Sequence, residues 1–224
     1  MKWLTPGGTV AALGVGIAVA YGFGWRGLVV LFTFFVTASL LTVRGATDAH
    51  GRTVRQVLAN GGVAAVAAAA GWWGAFAGAL AAATADTWAT ELGTRSPETP
   101  RLIFTGARVQ RGTSGGITIA GTAGGAFGAA VIGALSAGLG TRSSQFAETV
   151  VIAGVAGMFA DSMLGATLQG RFRCGVCGTE YERRDVTCHG SLAPSRGFAW
   201  LDNDVVNLVA TVVGAGVAGW LARG

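Results

Sequence analysis

The chain has 224 residues, of which 12% are charged and 51% hydrophobic, and its mean hydropathy is +0.54. Soluble domains carry about 25% charged residues, so these figures exclude a sizeable soluble domain and leave a single membrane-embedded one, residues 1–224. The net charge of +5 rests on Lys2 and otherwise on arginine alone; in so apolar a chain it does not indicate nucleic-acid binding. Arginine binds phosphate through a planar bidentate fork, and a GC-rich genome accounts for the bias equally well. The 38 glycines and the long alanine runs suit helices that approach closely in lipid, where apolar burial gives no drive for association.

A helix needs about 20 apolar residues to cross the hydrocarbon core. In chain order the apolar runs are 6–22, 26–43, 57–71, 73–92, 115–139, 148–168 and 203–222. The first follows Met-Lys-Trp without a small-residue cleavage site and reads as a retained span. The third is short, so 57–92 forms either two crossings or a tight, partly re-entrant hairpin; both return the chain to the same face. The expected fold is an all-α transmembrane bundle of about seven spans (six to seven), with a Cys-containing loop at 170–202. One face would carry Lys2, Arg44, Arg52, Arg55, Arg95, Arg101, Arg108, Arg111, Arg171, Arg173, Arg183, Arg184 and Arg196, and the other only Arg26, Arg142 and Arg223. The positive-inside rule puts the rich face and the N-terminus in the cytoplasm.

Acidic residues within membrane spans are costly and mark functional sites by default. Asp86 and Glu91 lie in ATADTWATELG, near the cytoplasmic end of the fourth run. Five residues of helix set them about 140° apart, adjacent but not on one stripe. Asp161 lies near the same end of the sixth run, and Asp202 and Asp204 open the seventh with Asn203 and Asn207. Singly, each could cap a helix or pair with an arginine; five on one face also suit Mg²⁺, a hard cation held by one or two carboxylates plus substrate phosphates. Arg52, Arg55, Gln56 and Asn60 open the third run. Arg101, Arg108, Arg111 and the turn Gly112-Thr113-Ser114-Gly115-Gly116 precede the fifth. A glycine-rich turn feeding a helix offers N–H groups to an anion, although this one lacks the lysine of a Walker loop. Carboxylates for Mg²⁺, arginines and an anion-binding turn are the parts that phosphoryl transfer needs.

The three cysteines fall in the pattern C-x2-C-x10-C-H, as Cys174, Cys177, Cys188 and His189. Cys3His is a structural zinc composition, but Cys188 and His189 are adjacent, which demands unusual geometry at one ion. The alternatives are free cysteines in a turn or, less consistent with the setting, a catalytic thiol. A cytoplasmic loop disfavours a lasting disulfide. His50, beside Gly51, reads as a solvated loop residue.

The motifs RQVLANGG, ATADTWATELG, PRLI-x-TG with GTSGG, DSMLGATLQ, the CxxC loop and WLDNDVVN follow one another over most of the chain. Together they resemble the integral membrane family that includes plant phytyl-phosphate kinase and the animal transmembrane protein 19. The resemblance implies a prenyl-phosphate kinase that converts an isoprenoid monophosphate (phytyl, geranylgeranyl or farnesyl phosphate) to the diphosphate with a nucleoside triphosphate, CTP foremost. It carries over to Arg55, Asn60, Asp86, Glu91, Thr113, Ser114, Asp161, Asp204 and Asn207. On chemical grounds Asp86, Asp161 and Asp204 would bind Mg²⁺, directly or through water, with Glu91 as a fourth catalytic carboxylate. Arg55 with Arg101 or Arg108 would hold phosphates, Asn60, Asn203 and Asn207 would orient ligands, and Thr113, Ser114, Gly115 and Gly116 would cradle the triphosphate. The rival readings are a CTP-dependent lipid-phosphate cytidylyltransferase and a transporter of an anionic solute.

Overall fold

The structure, a computed structural model, describes residues 3–45, 51–182 and 188–222. His50, Lys2, Arg183, Arg184 and Arg223 lie outside the described residues. Six helices dominate: α1 (Pro6–Gly45), α2 (Val54–Ala69), α3 (Trp73–Arg95), α4 (Ile119–Leu139), α5 (Ser144–Thr167) and α6 (Asn203–Leu221). Among the described residues, four segments are long and apolar enough to cross a membrane, lying in α1, α4, α5 and α6. The protein is thus a mostly helical integral membrane protein.

α1 is one helix in name only. At Gly24 the backbone takes φ 58°, ψ −146°, a region open essentially to glycine, and the chain turns back on itself. Trp3 packs edge-on against Phe35 with ring centroids 5.8 Å apart. A continuous helix would hold those residues roughly 48 Å apart at its rise of 1.5 Å per residue. The two arms therefore coincide with the separate apolar runs 6–22 and 26–43. Thr53 starts α2 with a capping box, its hydroxyl accepting from Gln56 N–H while the Gln56 side chain accepts from Thr53 N–H. At 16 residues α2 is about 24 Å long, shorter than the hydrocarbon core of about 30 Å. It joins α3 in an antiparallel hairpin, a feature shared by both forms expected for 57–92.

α3 is the central helix and packs against all five others. Every residue from Ala75 to Ala85 is buried, because small side chains let neighbouring backbones close in. Where α3 crosses α6, a Cβ on Gly78 would stand 2.3 Å from the Gly214 carbonyl, and one on Gly214 would stand 2.5 Å from the Gly78 carbonyl. Only a glycine pair allows that approach. Packing pairs fix the direction of each segment. Gly22 meets Ala68 and Gly74 meets Ala218 at one end of the bundle, while Gly8 meets Arg52 and Gly121 meets Gly93 at the other. The second end gathers the N-terminal residues, the α3–α4 loop, the α5–α6 loop and the start of α6.

One expected boundary needs correction. Residues 115–118 are not helical: Gly116–Ile117 form strand β2, paired antiparallel with β1 (Arg101–Leu102), and α4 begins at Ile119 with Thr118 as its cap. The Cys-containing loop at 170–202 has secondary structure of its own. It folds as a three-stranded antiparallel ribbon of β3 (Arg171–Cys174), β4 (Glu180–Tyr181) and β5 (Leu192–Arg196), with β3 in the middle. Its strands are too short, and its apolar positions too few, to register against the long membrane runs in the sequence.

Candidate functional site

A cavity of about 710 Å³ opens at the loop-bearing end of the bundle. Its rim is polar and comprises Asn60 of α2, Asp86 and Glu91 of α3, Gly112 to Gly116, Asp161 of α5, Glu182, and Asn203 and Asn207 of α6. Its depth is apolar and runs between the arms of α1, past Val15, Ala20, Leu28, Leu31 and Phe35. From Thr9 to Ala20 this crevice follows α1 for roughly 16 Å. Leu13, Ile17 and Phe32 line it and are also exposed on the outer surface, so the crevice is open sideways, where lipid would lie.

The residues singled out in the sequence divide here. Asp86, Glu91, Asp161, Asn60, Thr113, Ser114, Gly115, Gly116, Asn203 and Asn207 line the cavity. Arg55, Arg101, Arg108 and Asp204 do not. Arg55 forms ion pairs with Asp202 at 2.6 Å and Asp204 at 3.5 Å, and Asp202 also caps α6 by accepting from Val205 N–H. Those two carboxylates clamp α2 to α6 instead of facing the cavity. Arg101 lies in β1, exposed, and donates to the Gly106 carbonyl at 3.0 Å; Arg108 is bridged to Arg101 across the same hairpin. Glu91 lines the cavity but is paired with Arg95 one turn on, at 3.0 Å.

What remains is Asp86 and Asp161. The Asp161 carboxylate feels the charges of both Asp86 and Glu182, and its Oδ2 is buried without a hydrogen-bond partner. A buried, unsatisfied carboxylate oxygen is costly and is the hard ligand that Mg²⁺ takes. Among the described residues, the group of three side chains placed to share a metal ion is the cysteine cluster, not Asp86, Asp161 and Asp204, so any ion held by all three carboxylates would reach some of them through water. Two carboxylates with water and substrate phosphates filling the remaining positions match the usual habit of Mg²⁺.

The glycine-rich turn also differs from expectation. Gly115 has φ +77°, and a Cβ there would stand 2.5 Å from Ala166 of α5; glycine is required for both reasons. But its neighbours' N–H groups are not free. Thr113 N–H donates to Gln110, Gly116 N–H to Thr113, and Ser114 N–H to the Glu182 carboxylate at 3.1 Å. The start of α4 is occupied too, with Ile119 and Ala120 N–H donating to Glu98 at 2.9 and 3.2 Å. Protein carboxylates thus stand where an anion was expected.

Sequence reasoning did not single out Glu182, and it named Arg52 without giving it a role at the site. Glu182 binds a partner 68 positions away and follows β4, a strand too brief to announce itself. Arg52 is the basic residue of the lining; it sits one position before the α2 cap, donates to Ser39 at 3.2 Å and is tied by its backbone to Trp3 and Thr5.

The thiols of Cys174, Cys177 and Cys188 lie within 4.8 Å of one another. His189 is not in that group, although its Nδ1 is 3.7 Å from Cys188 Sγ. Hydrogen bonds from the Thr179 side chain and backbone lower the Cys177 pKa to about 6.

A family model described as integral membrane protein DUF92 matches residues 1–215. The chain belongs to the DUF92 family. A membrane protein of Methanocaldococcus jannaschii described as uncharacterized is 34% identical, over 96% of this chain and 83% of its own length. Protein PGR of Arabidopsis thaliana is 29% identical, over 92% of this chain and 84% of its own length. A Synechocystis membrane protein, also described as uncharacterized, is 25% identical over 97% and 82%. No solved structure matches. These similarities extend over nearly the whole bundle.

Proposed function

We propose that this DUF92 protein is a Mg²⁺-dependent kinase acting on a lipid phosphate, transferring the γ-phosphoryl group of a nucleoside triphosphate to an isoprenoid monophosphate. The observation that carries the reading is the cavity's division into a carboxylate-bearing rim and a laterally open apolar crevice, a shape suited to an amphiphile with a phosphate head. An isoprenoid tail would lie between the arms of α1, and its head would reach the rim. CTP is favoured as donor by the resemblance in the sequence motifs. The seven helical segments are read as seven crossings, with the rim and the N-terminus in the cytoplasm, as the arginine asymmetry requires.

In the transfer, an oxygen of the acceptor monophosphate bonds to the γ-phosphorus while the bond to the bridging β–γ oxygen breaks, giving the prenyl diphosphate and a nucleoside diphosphate. The acceptor is already anionic, so no general base is needed; positioning and charge neutralisation supply the catalysis. Mg²⁺ held by Asp86 and Asp161 would neutralise the transferring phosphates. Arg52 and the amides of Asn60, Asn203 and Asn207 would orient them, and Glu182 would release Ser114 N–H to a phosphate oxygen. The polar lining is confined to one end of the bundle, which weighs against a path for an anionic solute.

The test is product analysis: the purified protein in detergent, Mg²⁺, labelled CTP and a panel of prenyl monophosphates. Prenyl diphosphate with CDP is expected. A CDP-lipid with pyrophosphate would make the protein a cytidylyltransferase, and no turnover by folded protein with any nucleotide would overturn both enzyme readings.

A further inference from the structure

The cysteine ribbon is too small to hold itself together by burial. Its strands have four, two and five residues, and its deeply buried side chains are Phe172 and Cys174. Domains with so little core need a cross-link or a metal. The three thiols converge at the end of the ribbon. β3 ends at Cys174, and a tight turn brings Cys177 back beside it, closed by Gly178 N–H to the Cys174 carbonyl and Cys174 N–H to the Thr179 carbonyl, both at 3.0 Å. Cys188 arrives from the other side, its sulfur 3.4 Å from that of Cys177 and 3.1 Å from the Tyr181 hydroxyl. A tetrahedral site with metal–sulfur arms of about 2.3 Å has sulfur–sulfur edges of about 3.8 Å. The observed cluster, all within 4.8 Å, is therefore at the size of a thiolate metal site before any ligand is added.

The same ribbon grips the turn at the cavity rim. Arg171 of β3 donates to the Ser114 carbonyl at 3.3 Å, and Glu182, just past β4, accepts from Ser114 N–H at 3.1 Å. Both main-chain groups of Ser114 are thus held by residues a few positions from the cysteines.

We propose that Cys174, Cys177 and Cys188 bind one Zn²⁺ as thiolates, and that this ion fixes the ribbon whose Arg171 and Glu182 position the Ser114 turn. Thiolates select zinc over the hard cations suited to Asp86 and Asp161, so the two sites differ in chemistry. The inference stands independently of the kinase reading. A nitrogen ligand, His189 Nδ1, stands beside the cluster at 3.7 Å from Cys188 Sγ.

The test uses the full chain purified in detergent without added metal. Elemental analysis is expected to give about one zinc per chain, released by a thiol-blocking mercurial. Replacement by Co²⁺ should produce sulfur-to-cobalt charge-transfer absorption with the visible bands of a tetrahedral ion. Cys177→Ser and Cys188→Ser should lower the zinc content severalfold. In folded protein stripped of zinc, amide hydrogen exchange across residues 113–116 should quicken about tenfold, a change reversed by zinc. Metal-free folded protein whose three thiols all react freely, and whose cobalt form lacks thiolate absorption, would overturn the proposal. A zinc-bound protein with unchanged exchange at the turn on stripping would overturn the positioning role.

Discussion

Two pairs of carboxylates stand at the same end of this bundle and have opposite fates. Asp202 and Asp204 are met by Arg55, one at 2.6 Å and the other at 3.5 Å, and their charge is spent on joining α2 to α6. Asp86 and Asp161 line the cavity, with no ion pair to an arginine among the described residues, and act on each other. The first arrangement is what a membrane protein builds for stability; the second is tolerated where a ligand completes it. Placing an acidic residue in an apolar run does not separate these cases. The neighbouring cation does.

The comparison can be broken by substitution. The largest effect is expected at the cavity pair: Asp86→Asn or Asp161→Asn should lower phosphoryl transfer by about 10³-fold, the scale of losing a preorganised electrostatic group. The thermal midpoint should hold or rise, because Asn keeps the side chain's shape while removing a carboxyl that is costly to bury. Activity retained near wild type would remove these residues from the chemistry. Next comes Gly115→Ala, which forces a Cβ into Ala166 at positive φ. A cost of about 1–3 kcal/mol and a loss of turnover of about tenfold or more should appear together, and a neutral result would show that the turn is not held against α5.

Smaller effects sharpen the contrast. Arg55→Ala leaves Asp204, which is 5% exposed, with a weaker partnership. Because Arg55 is itself 61% exposed, solvent screening limits the loss to about 1 kcal/mol, read as a midpoint lowered by about 2–4 °C. Turnover per folded molecule should stay within about twofold, since uniform losses of binding and catalysis are distinct from losses of fold. Last, Glu182→Gln removes the carboxylate that occupies Ser114 N–H. The KM for nucleotide should fall about two- to fivefold as the competing charge leaves; a rise in KM would mean that Glu182 helps hold the substrate cation.

Much of this was legible in the sequence. Seven apolar runs with arginines at alternate ends suffice to bring Asp86, Asp161, Asn203, Asn207 and the Ser114 turn to one place, and the structure joins them in one cavity. Partner choice was not legible. Arg55 looks like a phosphate ligand because it stands beside Asn60 in RQVLAN, yet its guanidinium turns to a carboxylate 147 positions away. The turn at 112–116 looks like an open anion cradle because local sequence cannot show that Glu182 and Glu98 arrive from elsewhere to accept its N–H groups and those of α4. The ribbon escaped for a different reason: two-residue strands have no periodicity to detect, and only its cysteines marked it.

The most direct test of the account is one experiment with two variants, Asp161→Asn and Arg55→Ala, each measured for phosphoryl transfer and for thermal midpoint in the same detergent. The account predicts a crossed result: Asp161→Asn loses turnover and keeps its midpoint, while Arg55→Ala loses a few degrees and keeps its turnover. If Arg55→Ala abolishes transfer at an unchanged midpoint, or Asp161→Asn remains active, the division between clamp and site is wrong.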